Sequence, residues 1–208
     1  AYADGTHVLR DVSFRVDKGR KIALVGYNGA GKTTLIKLLM RFYDVDGGSI
    51  LVDGVDTKEM TRHELRDRFG MVLQDAWLFE GSIRDNIAYA QDNLPEEKII
   101  AAARSASVDS FIKTLPGGYD FELSTGAENI SQGQRQLLTI ARAMASDPEI
   151  MILDEATSNV DTHTEQLIQK ALAKLMHGRT SFVIAHQLST IRDADMILYM
   201  EHGDILEH

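Results

Sequence analysis

The sequence predicts an α/β fold built on a mainly parallel sheet flanked by helices, and three features of this 208-residue chain point there. An apolar run from Lys21 to Val25 (KIALV) passes through a glycine-rich turn straight into a helical stretch, Lys32 to Phe42. A second apolar run, Glu149 to Leu153, ends in two adjacent carboxylates, Asp154 and Glu155. Strand and helix then alternate through the last third, the pattern of parallel strands joined by helical crossovers.

The remaining elements follow in chain order. Val12, Phe14 and Val16 alternate as one face of an early strand, and Ser49 to Val52 form another before the Asp53-Gly54 turn, together predicting a small antiparallel layer. Gly70 to Gln74 reads as a short apolar strand. Glu96 to Leu115 carries Ile99, Ile100, Ala103, Val108 and Ile112 at helical spacing, with Pro95 at its start, so a helical block fills the middle. A helix from Thr162 to Met176 is opened by a capping box of Thr162 with Glu165 and closed by Gly178. Ser181 to Ala185 is a strand, and a hairpin is centred on His202-Gly203. The chain opens at Ala1 without an initiator methionine and stops within that hairpin, so it reads as a domain cut from something longer.

Composition bounds the function. With 44% hydrophobic and 25% charged residues, the chain can bury a globular core. A net charge of -9 argues against a partner recognised through its phosphate backbone, so no nucleic-acid partner is expected. Cysteine is absent, which excludes disulfides and thiolate metal sites. No apolar run approaches the roughly 18 to 20 residues that span a bilayer.

Chemistry concentrates in three segments. Gly26 to Thr33, GYNGAGKT, matches the phosphate-loop pattern at every fixed position. Gly26, Gly29 and Gly31 let the backbone bend so that successive amides face phosphate oxygens, Lys32 reaches the β and γ phosphates, and Thr33 is placed to ligate magnesium. Thr34 is the next donor along. In the second segment, EIMILDE, Asp154 suits a magnesium ion while Glu155 suits polarisation of an attacking water; a cap for the next helix is the alternative. His186, after the apolar strand SFVIA, is either a hydrogen-bonding sensor of the same phosphate or a structural strand-end histidine. In the third, NISQGQRQLLTIARAM, Ser131, Gln132 and Gly133 precede a helix with apolar face Leu137, Leu138, Ile140, Ala141 and Met144. That helix start is either an ordinary serine cap or a second anion-binding terminus, serving a nucleotide held by another subunit.

These motifs resemble, over essentially the whole chain, the nucleotide-binding domain of ABC transporters. GYNGAGKT resembles Walker A, IMILDE resembles Walker B with its catalytic glutamate, ISQGQ the family signature, and Ser158 to Asp161 the D-loop. Gln74 and His186 match the Q-loop and switch histidine, and Tyr2 resembles the aromatic residue that stacks on adenine. The resemblance implies a RecA-like P-loop NTPase core with an antiparallel β subdomain and a helical subdomain inserted at about residues 75–145, the whole of 1–208 forming one ATPase domain. It implies ATP and Mg2+ as ligands, with Glu155, His186 and Lys32 in catalysis. Nucleotide contacts fall to Tyr2, Gly26, Asn28, Gly29, Ala30, Gly31, Lys32, Thr33, Thr34, Gln74, Ser131, Gln132, Gly133, Gln134 and Asp161, and magnesium to Thr33, Gln74 and Asp154. The family pairs two such domains head to tail, as homodimer or heterodimer, on the cytoplasmic face of a membrane beneath a transmembrane domain. Gln74 to Ala90 is similar to exporter-type domains, in which Trp77, Leu78 and Phe79 would belong to a docking surface for a coupling helix. Two departures stand out: Ile130 and Gln132 replace the leucine and first glycine of the commonest signature, and Thr125 stands where many exporters have glutamate. A soluble ABC ATPase of DNA repair or translation and a non-hydrolysing regulatory half are the rival functions.

Overall fold

The structure, a computed structural model, describes residues 8–89, 91, 93–154, 160–185 and 188–207. In chain order these form β1 (Lys21–Val25), α1 (Lys32–Leu39), β2 (Leu51–Val52), β3 (Val55–Asp56), α2 (Arg62–Asp67) and β4 (Phe69–Val72). There follow β5 (Gly81–Ser82), α3 (Ile83–Ile87), α4 (Glu96–Ser105), α5 (Asp109–Ile112), β6 (Glu122–Leu123) and α6 (Gln132–Ser146). The chain closes with β7 (Ile150–Asp154), α7 (Thr162–Met176), β8 (Thr180–Ile184), α8 (Leu188–Arg192), β9 (Met196–Glu201) and β10 (Asp204–Glu207).

The described residues fall into two compact units. The first draws on Ala1–Gly70, Glu149–Glu155 and Gly178–His208, the second on Met71–Pro148 and Ala156–His177. The first is organised by a six-stranded sheet of order β10-β9-β1-β8-β7-β4. β1 runs parallel to both β8 and β9, and β7 runs parallel to β8; β10, returning from the hairpin, pairs antiparallel with β9. Ile22, Ala23 and Leu24 of β1 and Met151, Ile152 and Leu153 of β7 are all buried. That two-sided burial explains why these strands read as continuous apolar runs rather than as alternation. A two-residue hairpin, β2–β3, turns at Asp53 and Gly54, both with positive φ.

The second unit is mostly helical. Its core gathers Ile83 and Ile87 from α3, Ile99 and Ala103 from α4, Leu138 and Ile140 from α6, and Ile168, Ala171 and Leu175 from α7. A short antiparallel pair, β5 with β6, closes it.

Four sequence expectations need correction. Val12, Phe14 and Val16 are half-buried and alternate with exposed neighbours, but the segment forms no strand. Alternation reports a two-faced extended chain, whereas a strand also needs a hydrogen-bonded neighbour. The helix from Lys32 stops at Leu39 because Arg41 adopts a left-handed backbone (φ 52), with Phe42 N–H donating to Lys37 O at 2.8 Å and Arg41 N–H to Leu38 O at 3.0 Å. This is a Schellman closure with arginine in the place glycine usually takes. The same device splits the helix expected over Glu96 to Leu115: Ser107 is left-handed (φ 61), and Val108 N–H donates to Ala103 O at 2.9 Å. Finally, α7 is capped by Asp161, one residue before the predicted Thr162.

The β9–β10 hairpin turns at His202 and Gly203, both with positive φ (49° and 88°), as sequence predicts. A Cβ on Gly203 would collide with the backbone carbonyl of Val8. Gly203→Ala should therefore destabilise the protein by about 2–4 kcal/mol, combining left-handed strain with steric overlap, as read from the midpoint of urea unfolding.

Candidate nucleotide site

The first unit brings together Gly26, Asn28, Gly29, Ala30, Gly31, Lys32, Thr33, Thr34 and Asp154. The loop after β1 uses positive φ at Gly26, Gly29 and Gly31 (150°, 85° and 109°), which side-chain-bearing residues adopt only under strain. The inner side of that loop is packed tight. A Cβ on Gly26 would overlap Met200 O and one on Gly31 would lie 2.7 Å from Leu9 Cδ2, whereas a Cβ on Gly29 would meet nothing within 4 Å. The loop is thus seated against the β9–β10 hairpin on one side and open on the other, where Tyr27, Asn28 and Gly29 are exposed.

Electrostatics complete this half. α1 begins at Lys32 after Gly31, with no side-chain cap and no acidic residue in its first turn. Its positive end thus carries neither a capping side chain nor a carboxylate, which favours an anionic ligand there. Lys32 is 9% exposed, and its ammonium donates back to the carbonyls of Gly26 and Tyr27. Burial pulls its pKa below the ordinary lysine value, and the carboxylate of Asp154, at the end of β7, acts in the opposite direction. Thr33 is exposed on the first turn, so the hydroxyl and carboxylate picked out for a magnesium ion belong to one unit.

The second unit holds Gln74, Ser131, Gln132, Gly133, Gln134 and Asp161. Ser131 caps α6 in a full capping box: its hydroxyl accepts from Gln134 N–H at 3.3 Å, and its own N–H donates to Gln134 Oε1 at 2.9 Å. Ser131 and Gln132 are exposed and Gly133 is buried, because α7 crosses the helix start there. Asp161 caps α7 by accepting from Thr164 N–H at 3.0 Å. Gln74 is exposed beyond the end of β4. Tyr2, Glu155, His186 and the first two residues of the Ser158–Asp161 segment lie outside the described residues.

Of the three residues suggested for docking, Trp77 is 59% exposed and Phe79 half-buried, but Leu78 is buried in the core and drops out of any surface. Trp77, Phe79 and Tyr89 instead form an aromatic trio, with ring centroids 5.9 to 6.2 Å apart. Sequence reasoning missed what holds it. Arg142 of α6 donates to Asn86 O (2.7 Å), Trp77 O (3.1 Å) and Asn86 Oδ1 (2.9 Å), while its guanidinium lies over the rings of Trp77 and Tyr89. Fully buried Asn86 in turn donates to Phe79 O and Ser82 O and accepts from Phe79 N–H. An asparagine between Ile83 and Ile87 on the inner face of a short helix was the available signal.

Two outcomes are expected from this geometry. Arg142→Ala should cost about 2–4 kcal/mol in chemical denaturation, because it orphans buried acceptors as well as removing bonds. Asp161 has its pKa lowered, first by the hydroxyl of Thr164 and then by its backbone amide. Its cap is thus fully charged above the ordinary carboxylate pKa and lost as pH falls through the lower folded value. The difference in Tm between wild type and Asp161→Ala should therefore be constant near neutrality and shrink below about pH 4.

Comparison with known proteins agrees with this architecture. The ABC transporter family profile matches residues 9–158. A fatty acid ABC transporter ATP-binding/permease protein of Mycobacterium tuberculosis (strain CDC 1551 / Oshkosh) is 54% identical over 207 residues, covering 100% of this chain and 33% of that protein. An ATP-dependent lipid A-core flippase of Syntrophus aciditrophicus (strain SB) is 47% identical over 204 residues, covering 98% and 34%. A solved bacterial Atm1-family ABC exporter with ATP bound superposes with TM-score 0.90 at 42% identity, over 100% of this chain and 36% of that one. The chain thus spans about a third of the length of these relatives. Its fold is the RecA-like P-loop NTPase core, with the antiparallel β part reduced among the described residues to the short β2–β3 hairpin and with a helical subdomain. With family profile, relatives and fold in agreement, the chain belongs to the ABC transporter family.

Proposed function

We propose that this chain is the ATP-binding and ATP-hydrolysing domain of an exporter, paired head to tail with a second such domain on the cytoplasmic face of a membrane. The observation that carries the reading is the loop after β1, whose glycine backbone opens outward at Gly29 ahead of an uncapped helix start, with Lys32 folded against it. A triphosphate entering that opening would take the Lys32 ammonium from two neutral carbonyls, exchanging weak partners for charged ones.

Magnesium fits the donors present. Thr33 hydroxyl and Asp154 carboxylate are hard oxygens, and among the described residues no cluster of three or more His, Cys, Asp or Glu could hold a metal. The remaining ligands would come from phosphates and water, the usual arrangement for this ion. Bound there, it would neutralise charge on the β and γ phosphates. Gln74 is proposed as a further magnesium contact, Tyr2 as the adenine contact, and Glu155 as the base that orients the attacking water, with His186 on the γ-phosphate.

The second unit supplies the other half of the pairing. Ser131, Gln132, Gly133, Gln134 and Asp161 would face a nucleotide held by the partner subunit, the exposed start of α6 offering its positive end. Closing on ATP and reopening after hydrolysis then makes a mechanical cycle. The printed names of the relatives, a fatty acid transporter and a lipid flippase among them, support an amphipathic cargo, and the Atm1-family exporter supports its export through a transmembrane domain that docks on the face around Trp77. No helix among the described residues is long and apolar enough to cross a membrane.

Paired substitutions test the reading in the intact gene product. Glu155→Gln should keep ATP binding within about two-fold while lowering phosphate release by roughly 10²–10⁴, the range for loss of a general base. Lys32→Ala should weaken ATP binding itself by about ten-fold or more. Wild-type turnover in Glu155→Gln would refute the base assignment.

A further inference from the structure

The start of α6 packs closely against the start of α7 at Gly133. A Cβ on Gly133 would run into Thr164 Cγ2, and would stand 3.1 Å from Val160 Cγ1 and 3.4 Å from Thr164 Cβ. Gly133 is buried and its φ is not in the left-handed region, so the backbone would accept alanine; the neighbouring side chain would not. Glycine is demanded here by packing from within the same chain.

Thr164 cannot simply turn its methyl aside. Its hydroxyl bonds to the carboxylate of Asp161, which also receives Thr164 N–H at 3.0 Å. A β-branched side chain has one rotamer per arrangement of its two arms, so swinging Cγ2 away from position 133 would break the hydroxyl bond to the cap. The cap of α7, the methyl of Thr164 and the bare backbone of Gly133 form one rigid contact between the segment around Asp161 and the capping box of Ser131 and Gln134.

We infer that Thr164 is a positioning residue, whose methyl against Gly133 sets the register of the Ser131 end of α6 relative to Asp161. The inference rests on the function proposed above, in which Ser131 and Asp161 face a shared nucleotide, and adds a residue that touches no ligand. A larger group at 133 acts by displacing Thr164, so its effect should be reversed by trimming Thr164 rather than by any change in the nucleotide.

The test is a cycle in the intact gene product: wild type, Gly133→Ala, Thr164→Ser, and both together. Serine keeps the hydroxyl on Asp161 and removes Cγ2. Gly133→Ala should lower Tm by on the order of 3–6 °C and slow phosphate release at least about ten-fold. Adding Thr164→Ser to that chain should recover at least about five-fold in release and most of the Tm loss, while alone it gains nothing. If Gly133→Ala fails to fold, Thr164→Ile with Gly133 retained should give the same loss of release from the other side. Restored Tm without restored release would overturn the positioning role, and an unchanged Tm in Gly133→Ala would overturn the contact. A wild-type protein that releases no phosphate would instead sink the ATPase reading, leaving the Tm cycle to judge the contact by itself.

Discussion

The first unit depends on the close approach of the loop after β1 to the hairpin at the end of the chain. Gly203 N–H donates to Ala30 O at 3.2 Å, Arg10 N–H donates to Gly203 O at 3.0 Å, and side chains are excluded at Gly26, Gly31 and Gly203. At Gly26 and Gly203 backbone meets backbone, so no side-chain rearrangement can absorb an added methyl there, while Gly31 is crowded by the side chain of Leu9. Residues some 170 positions apart thereby fix the curvature of the loop, and that curvature leaves Gly29 open and Lys32 half-turned inward. The buried parallel strands β1, β8 and β7 carry the loop and Asp154 to one end of the sheet, where strands of this class present their ligand-facing residues.

The second unit is held by polar contacts threaded through an apolar core. Arg142 and Asn86 tie α6 to the backbone around Trp77, and Thr164 ties the start of α7 to the start of α6. The Arg142–Asn86 knot is costly to disturb, because Asn86 is fully buried and has no water to turn to, whereas the Thr164 contact acts through close packing. α6 is therefore engaged at two places within its own unit: a capping box and Gly133 at its start, and the Arg142 knot about two and a half turns further on. A helix gripped at both places moves as a body with the aromatic face, the mechanical property the proposed cycle asks of it.

Helix ends divide what could be read in the chain from what could not. Ser131 was legible as a start because a serine ahead of an apolar helical face is a local pattern, and the α7 span was correct although its cap lay one residue earlier, at Asp161. The stops at Arg41, Ser107 and Asp147 were not legible, since all three adopt left-handed backbone without being glycine. At Arg41 the conformation is held by distant partners: its guanidinium donates to Thr57 O and Met60 O, while Arg66 reaches Met40 O and Arg41 O. The early alternating segment failed as a strand for a related reason, because pairing is a property of two segments and periodicity of one.

Sequence by itself determined the phosphate loop, the order of the central strands and helices, and the identity of the charged groups at the strand ends. Local chemistry suffices for these: glycine frees a backbone, apolar runs seek burial, and a serine or aspartate satisfies the amides that follow it. Tertiary structure alone decided that Gly133 is crowded by Thr164, that Leu78 turns inward, and that an arginine on α6 anchors the aromatic face. These facts depend on which surfaces meet after folding, and a linear pattern holds no information on the volume left between two side chains until the backbones that carry them are brought together.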